Sequence, residues 1–428
     1  MAKVSTSKTF DVVIVGAGII GLSVARQFLL GSNVSIAIID SAEPCAGATG
    51  AGQGYIWRIH KDPESEKWAL ALRSQRLWEM LVESVMQQGK DPLIALGWKK
   101  TGSLLVGRTS EESDMLKKRL EKLSEAGVEA LLLSNNELLL KESALGLGHE
   151  GSAAFLPDDF QIDARGTATF IQQFQAEGRY EEFFNEPVTN LIRSSSGEVE
   201  AVQTSKSIIS CRKAVVVAAG CWSGSLTHNL VKNCNIELDL PIKPRKGHLL
   251  VIKNFKGFVL NHGLMELGYI NHQSASTDQT LATDPQDISV SMAATMDMSG
   301  NLLLGSSRQF AGFQNEIDES IVNRMWERAL EFFPLLRCHS LQDLRKDCEV
   351  RVGLRPYMAS GKPAIGPVSG LPKLFLACGH EGEGLSLVSQ PTNPIIFSIY
   401  SFMGSFITSL GTTLGTAEMI GDMVLEIH

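Results

Sequence analysis

A glycine-punctuated turn closes the first apolar run of this chain and limits what it can fold into. Residues 10–15 are a short β-branched stretch of the kind buried on both faces of a parallel sheet. They run straight into Gly16-Ala17-Gly18-Ile19-Ile20-Gly21. A helical pattern follows through Leu30, Gly31-Ser32-Asn33 breaks it, and residues 34–39 read as a second strand ending on Asp40. Each part has a mechanical task. Gly16 permits the tight turn, Gly18 lets the backbone approach a pyrophosphate, and Gly21 allows helix and strand to pack closely. The helix N-terminus brings partial positive charge to the phosphates. Asp40 stands where a carboxylate can accept two ribose hydroxyls. GxGxxG alone is a weak signal, and a ligand-free glycine turn is its bland alternative. With strand, helix, second strand and terminal acid all present, it reads as a dinucleotide-binding unit and leaves NAD and FAD open.

The rest of the chain must fit around that unit. At 428 residues it is long enough for one two-lobed body or two to three domains. With 44% hydrophobic and 20% charged residues it has material for a core. A net charge of −8, with lysines and arginines scattered, argues against a nucleic-acid partner and against a polybasic membrane patch. Seven cysteines, an odd number without a CxxC, suggest neither a zinc site nor a disulfide framework, and no metal is expected. A reducing intracellular compartment is expected, cytoplasmic or organellar, since residues 1–10 carry no apolar signal and a presequence could have been removed.

Three further segments select flavin. Residues 45–57 follow the acidic strand end with Gly47, Gly50, Gly52 and Gly54, a small-residue stretch whose amides can crowd a flat ligand. An NAD-binding unit would more usually continue into a helix there, and a mobile glycine loop is the bland alternative. Residues 214–222 read as a buried strand ending in Ala218-Ala219-Gly220, preceded by a strand at 208–210. Residues 353–387 carry Gly353-Leu354-Arg355-Pro356, a strand at 374–377, a glycine-rich turn at 379–384 and an expected helix start.

In this order, the motifs at 16–21, 214–223, 353–367 and 374–387 resemble the D-amino-acid oxidase-type flavoprotein superfamily. The chain is most similar to its glycine oxidase, D-amino-acid dehydrogenase and opine oxidase branch. The resemblance covers nearly the whole chain. It implies an α/β plus α+β fold: a discontinuous Rossmann-like FAD-binding domain with a mostly antiparallel sheet capping the flavin. By position the first lobe takes residues 9–88, 155–240 and 346–428, and the cap 89–154 and 241–345. Strands at 100–107, 246–252 and 301–305 fit the cap, and residues 111–126 read as a helix with a solvated charged face.

The resemblance also implies site residues. Gly16, Gly18, Ile19, Ile20 and Gly21 would meet the pyrophosphate, Asp40 and Ser41 the ribose, and the Val188 backbone the adenine. Ala219, Gly220 and Trp222 would lie beside the adenosine, and Thr49, Ala51, Gly52 and Gln53 would face the flavin ring. Gly382, Glu383, Gly384 and Leu385 would lie near the ribityl chain. Arg355 would lie over the flavin and pair with a substrate carboxylate, a planar bidentate fit that lysine lacks. The sarcosine oxidase branch attaches its flavin through a cysteine that is absent here, so FAD is expected to be non-covalent. Some relatives add a tyrosine from a cap strand. Residues 292–297 contain no aromatic, which leaves Tyr269, Tyr357 or Arg308, with Gln53, as further substrate-binding candidates.

The implied activity is oxidation of a carbon–nitrogen bond in an amino acid or secondary amine, by hydride transfer to flavin N5, giving an imine that hydrolyses. Oxygen or a quinone-type carrier would be the acceptor, and oligomeric state stays open. The alternatives are an FAD-dependent dehydrogenase of a 2-hydroxy acid or linked to a quinone, and a non-catalytic flavoprotein-like assembly factor. One departure stands out. Relatives pass from the glycine turn almost at once into the last helix, whereas here the uncharged stretch 388–413 intervenes before Gly415. It reads as a buried or disordered insertion that could disturb the flavin motif, rather than as a membrane span.

Overall fold

The computed structural model describes residues 6–65, 68–173, 178–232, 236, 238–270, 288–383 and 420–425. Two eight-stranded sheets organise these residues. In the first, the path runs Ala364–Pro367, Leu374–Cys378, Ser207–Val217, Thr6–Val15, Ile36–Ile39, Tyr180–Phe183. All neighbours on that path pair in parallel except Ala364–Pro367, which runs antiparallel to Leu374–Cys378. Val188–Arg193 and Val199–Thr204 extend it as antiparallel neighbours.

The reason for the continuous apolar runs is visible in the burial. Val12 and Ile14 pack into one core with Ile36, Ile38, Ala214 and Val216. The alternating residues Val13, Val15, Ala37, Ile39, Val215 and Val217 pack into a second core on the opposite face. A strand with apolar layers on both sides cannot alternate apolar with polar. The separate strand expected at 208–210 and the one beginning at 214 are a single strand, Ser207–Val217. Helix Ile19–Gly31 covers the first core and ends where expected, with Ser32 N–H donating to Phe28 O. Residues 420–425, within the expected last helix, are helical and bury Ile420 and Val424 in that same core.

The second sheet runs Cys348–Met358, Ile242–Ile252, Leu302–Arg308, Ser289–Met296, Gly263–Glu266, Ser103–Gly107, Ser152–Leu156, Leu131–Ser134. Its pairs are antiparallel save Gly263–Glu266 against Ser103–Gly107. Cys348–Met358 lies in the portion of chain that the sequence reading allotted to the first lobe. It is instead hydrogen-bonded along its length to Ile242–Ile252, which places Arg355 opposite Arg245. Helix Glu319–Phe332 covers the far face of this sheet with Ile321, Val322, Met325, Trp326, Ala329 and Phe332, a spacing of three and four that makes one apolar stripe. The helix expected as a solvated face, Ser110–Glu125, does expose its charges but buries Leu116 and Leu123. Among the described residues no helix is long and apolar enough to cross a membrane, and 388–413 lies outside them.

Candidate active site

A cavity of about 640 Å³ opens where the carboxyl ends of the parallel strands face the second sheet. Open α/β sheets place their ligands at this edge. Val15, Ile39, Ala218 and Cys378 contribute from one side, and Gly247, Ser306 and the run Gly353–Pro356 from the other.

The glycine turn is built as its sequence requires. Gly16 adopts φ +118°, and a Cβ there would stand 2.3 Å from Ala218 O. A Cβ on Gly21 would stand 1.8 Å from Gly16 O. Gly21 therefore serves helix–strand packing, and it is not among the residues that line the cavity. Gly18, Ile19 and Ile20 do line it, at a helix N-terminus that has neither a side-chain cap nor an acid in its first turn. Ile19 N–H donates to Thr49 Oγ1 at 3.1 Å, tying the turn to the glycine-rich segment. Asp40 accepts from Ala17 N–H at 2.7 Å and from Ala42 N–H at 2.9 Å, so its carboxylate also holds the loop it was expected to serve.

Of the other sequence-predicted residues, Ser41, Thr49, Ala51, Gly52, Gln53, Val188, Ala219, Gly220, Trp222, Arg355 and Gly382 all line the cavity. Gly384 and Leu385 lie outside the described residues, and the Glu383 side chain is likewise not described. Gln53 reaches across to the second sheet, where its Nε2 donates to Ala293 O at 3.1 Å and Leu303 O at 3.3 Å. Gly353 is needed because a Cβ there would stand 2.9 Å from the Ala51 Cβ.

Arg355 lies flat over Gly247, where a Cβ would meet its Nη1 at 2.3 Å. Its Nη1 donates to Ser307 O at 3.0 Å, and among the described residues no carboxylate pairs with it. Tyr357 and Arg308 do not line the cavity. Tyr357 packs under Arg245, whose guanidinium carbon is 5.2 Å from the ring and which forms an ion pair with Glu381 at 2.9 Å. Arg308 lies 4.0 Å over the Tyr269 ring, and Tyr269 shares a 2.7 Å hydrogen bond with Tyr55. Tyr55, Arg245 and Glu381 were missed by sequence reading. Tyr55 sits at the end of the glycine-rich segment, so a polar aromatic there was the available signal.

Burial sets the protonation states. It raises the Tyr55 phenol well above its ordinary value, with Tyr269 adding to the effect. It pulls His380, at the cavity wall, down to about 4. The cavity-lining thiols of Cys45, Cys221 and Cys378 are pushed up to about 11, 12 and 12.

The geometry has counterparts among known proteins. Residues 11–389 match the family model described as DAO, FAD dependent oxidoreductase. The chain is 27% identical over 389 residues to a glycine oxidase of Pseudomonas aeruginosa, covering 88% of this chain and 91% of that one. It is 28% identical over 272 residues to the mitochondrial L-2-hydroxyglutarate dehydrogenase of Homo sapiens, covering 60% and 55%. Its fold is that of the glycine oxidase crystal structure from Geobacillus kaustophilus, with a TM-score of 0.75 at 20% identity over 98% of this chain and 95% of that one. The uncapped helix start, the paired turn and acid, and the cavity beside them fit FAD. With a family match spanning most of its length, this chain belongs to the DAO family of FAD-dependent oxidoreductases.

Proposed function

We propose that this chain oxidises the carbon–nitrogen bond of an amino acid or of a secondary amine bearing a carboxylate. The observation that carries the reading is Arg355, a guanidinium on the cavity wall with no carboxylate partner among the described residues. An arginine of this kind suits a planar, bidentate carboxylate of the substrate. The glycine at 247 leaves room for it to lie flat, and its bond to Ser307 O holds it there.

FAD would be held by Gly16, Gly18, Ile19 and Ile20 at its pyrophosphate, by Asp40 and Ser41 at a ribose, and by Val188, Ala219, Gly220 and Trp222 around the adenosine. Thr49, Ala51, Gly52 and Gln53 would face the ring, and Gly382 with the residues after it the ribityl chain. Bound FAD supplies a two-electron acceptor, and the protein supplies orientation and electrostatics. Arg355 fixes the carboxylate and so directs the amine-bearing carbon. The Tyr55 phenol stays protonated and His380 stays neutral, so neither competes as an anion or a cation. Attachment of FAD is non-covalent in this reading, because buried thiols with raised pKa values are poor nucleophiles near neutrality.

The same arginine would suit a 2-hydroxy acid, and the similarity to L-2-hydroxyglutarate dehydrogenase favours that as the second reading. Anaerobic titration separates the two: the flavin spectrum is followed against glycine, sarcosine, proline, D-amino acids and 2-hydroxy acids. Bleaching by an amine supports the proposal, whereas bleaching by hydroxy acids alone overturns it. Readmitting air tells an oxidase from a dehydrogenase.

A further inference from the structure

Assigning a substrate carboxylate to Arg355 leaves a second guanidinium with no carboxylate ion-paired to it among the described residues. Arg308 is 3% exposed. Its Nη1 donates to Ser291 Oγ at 3.1 Å, its face rests on Tyr269, and its Nη2 is buried with no hydrogen-bond partner among the described residues. No described carboxylate forms an ion pair with it, since the nearby Glu381 is taken by Arg245. An isolated charge taken out of water costs several kcal/mol, so buried charges persist where something pairs with them.

Arg308 does not itself line the cavity, but its neighbours join it to residues that do. Arg355 donates to the carbonyl of Ser307, the residue just before Arg308. Ser306, two residues before Arg308 in the strand Leu302–Arg308, lines the cavity, and so does Tyr55. Tyr55 lies within the fields of both arginines and bonds Tyr269, on whose ring Arg308 rests. Arg245 feels the charge of both Arg308 and Arg355, and it is Arg245 that Glu381 neutralises.

We propose that Arg308, with the hydroxyls of Tyr55 and Tyr269, forms a second anion subsite, so that the preferred substrate carries two carboxylates. One would sit at Arg355 and the other at Arg308, with the oxidised carbon between them. An amino acid with an acidic side chain, or an amine carrying two carboxymethyl groups, has the required chemistry. This inference rests on the reading of Arg355 as the carboxylate-binding residue.

Non-oxidisable anions test it without turnover. Dissociation constants for propionate, malonate, succinate, glutarate and chloride are measured on the FAD-loaded protein by calorimetry and by the flavin difference spectrum. At least one dicarboxylate is expected to bind about tenfold or more tightly than propionate, the scale of one added charged hydrogen bond. Arg308→Met should abolish that advantage and leave propionate within about threefold, while Arg308→Lys retains part of it. Equal binding of mono- and dicarboxylates by the unaltered protein overturns the subsite, whether or not the variants fold. Chloride competing as well as the best dicarboxylate also overturns it. Arg355→Met separates the two readings. If it leaves propionate binding unchanged while Arg308→Met still removes the dicarboxylate advantage, the role of Arg355 falls and the anion site at Arg308 stands.

Discussion

Single residues in this protein are constrained by what a side chain would strike. At Gly16 both the backbone angle and the neighbouring Ala218 carbonyl exclude a Cβ. Gly16→Ala should therefore lose bound flavin and lower the melting temperature, whereas Gly127→Ala, where nothing lies within 4 Å, should keep its flavin. Flavin absorbance per protein checks both. Arg355→Met should lower kcat/KM about 10- to 150-fold for a carboxylate substrate, the loss of a charged hydrogen-bond pair, while flavin content holds. An unchanged kcat/KM would remove Arg355 from the site.

Two buried histidines set a pH dependence. His248 accepts from Asp318 N–H on Nε2 at 3.1 Å, and Nδ1 meets Ser307 Oγ at 2.9 Å, an arrangement that needs the neutral ring. Burial, with Lys246 assisting, pulls its pKa to about 4, and burial does the same at His380. Both folded values lie below the unfolded 6.5, so the unfolded chain gains protons first on acidification. Their contribution, on the order of 2–3 kcal/mol each at most, is complete above pH 6.5 and is lost as pH falls towards 4. Urea midpoints should drop across that window, and His248→Gln should flatten the decline. Parallel curves for the two proteins would contradict it.

At the scale of elements, the second sheet depends on one helix. Glu319–Phe332 lays Phe332 and Trp326 on the sheet, and Arg328 ties it to the buried Glu266 of Gly263–Glu266. Phe332→Ala should cost about 3–5 kcal/mol while leaving the flavin spectrum of the folded protein intact, because this face is turned from the cavity. Much of this level was legible beforehand. The first strand–turn–helix reads from periodicity because a strand buried on both faces must be apolar throughout. Strand Cys348–Met358 does not read that way. It alternates Glu349, Arg351, Gly353 and Arg355 with Val350, Val352 and Leu354, the period of a half-buried strand, but its pairing with Ile242–Ile252 is not written in it.

The whole molecule brings the carboxyl ends of a parallel sheet against a mostly antiparallel one, and the cavity exists only between them. The family match ends at residue 389, while Ile420 and Val424 join the first core.

By itself the sequence determined the parallel β–α–β unit, the glycine turn and the cavity residues that follow it within a few positions. Local sterics and short-range periodicity decide those, and both are written in neighbouring residues. Tertiary structure alone decided that Arg245 is neutralised by Glu381, and that Tyr55 joins Tyr269 beneath Arg308. These pairings join residues more than a hundred positions apart, or depend on which face of a strand meets the cavity. Charge balance across such distances has no period along the chain.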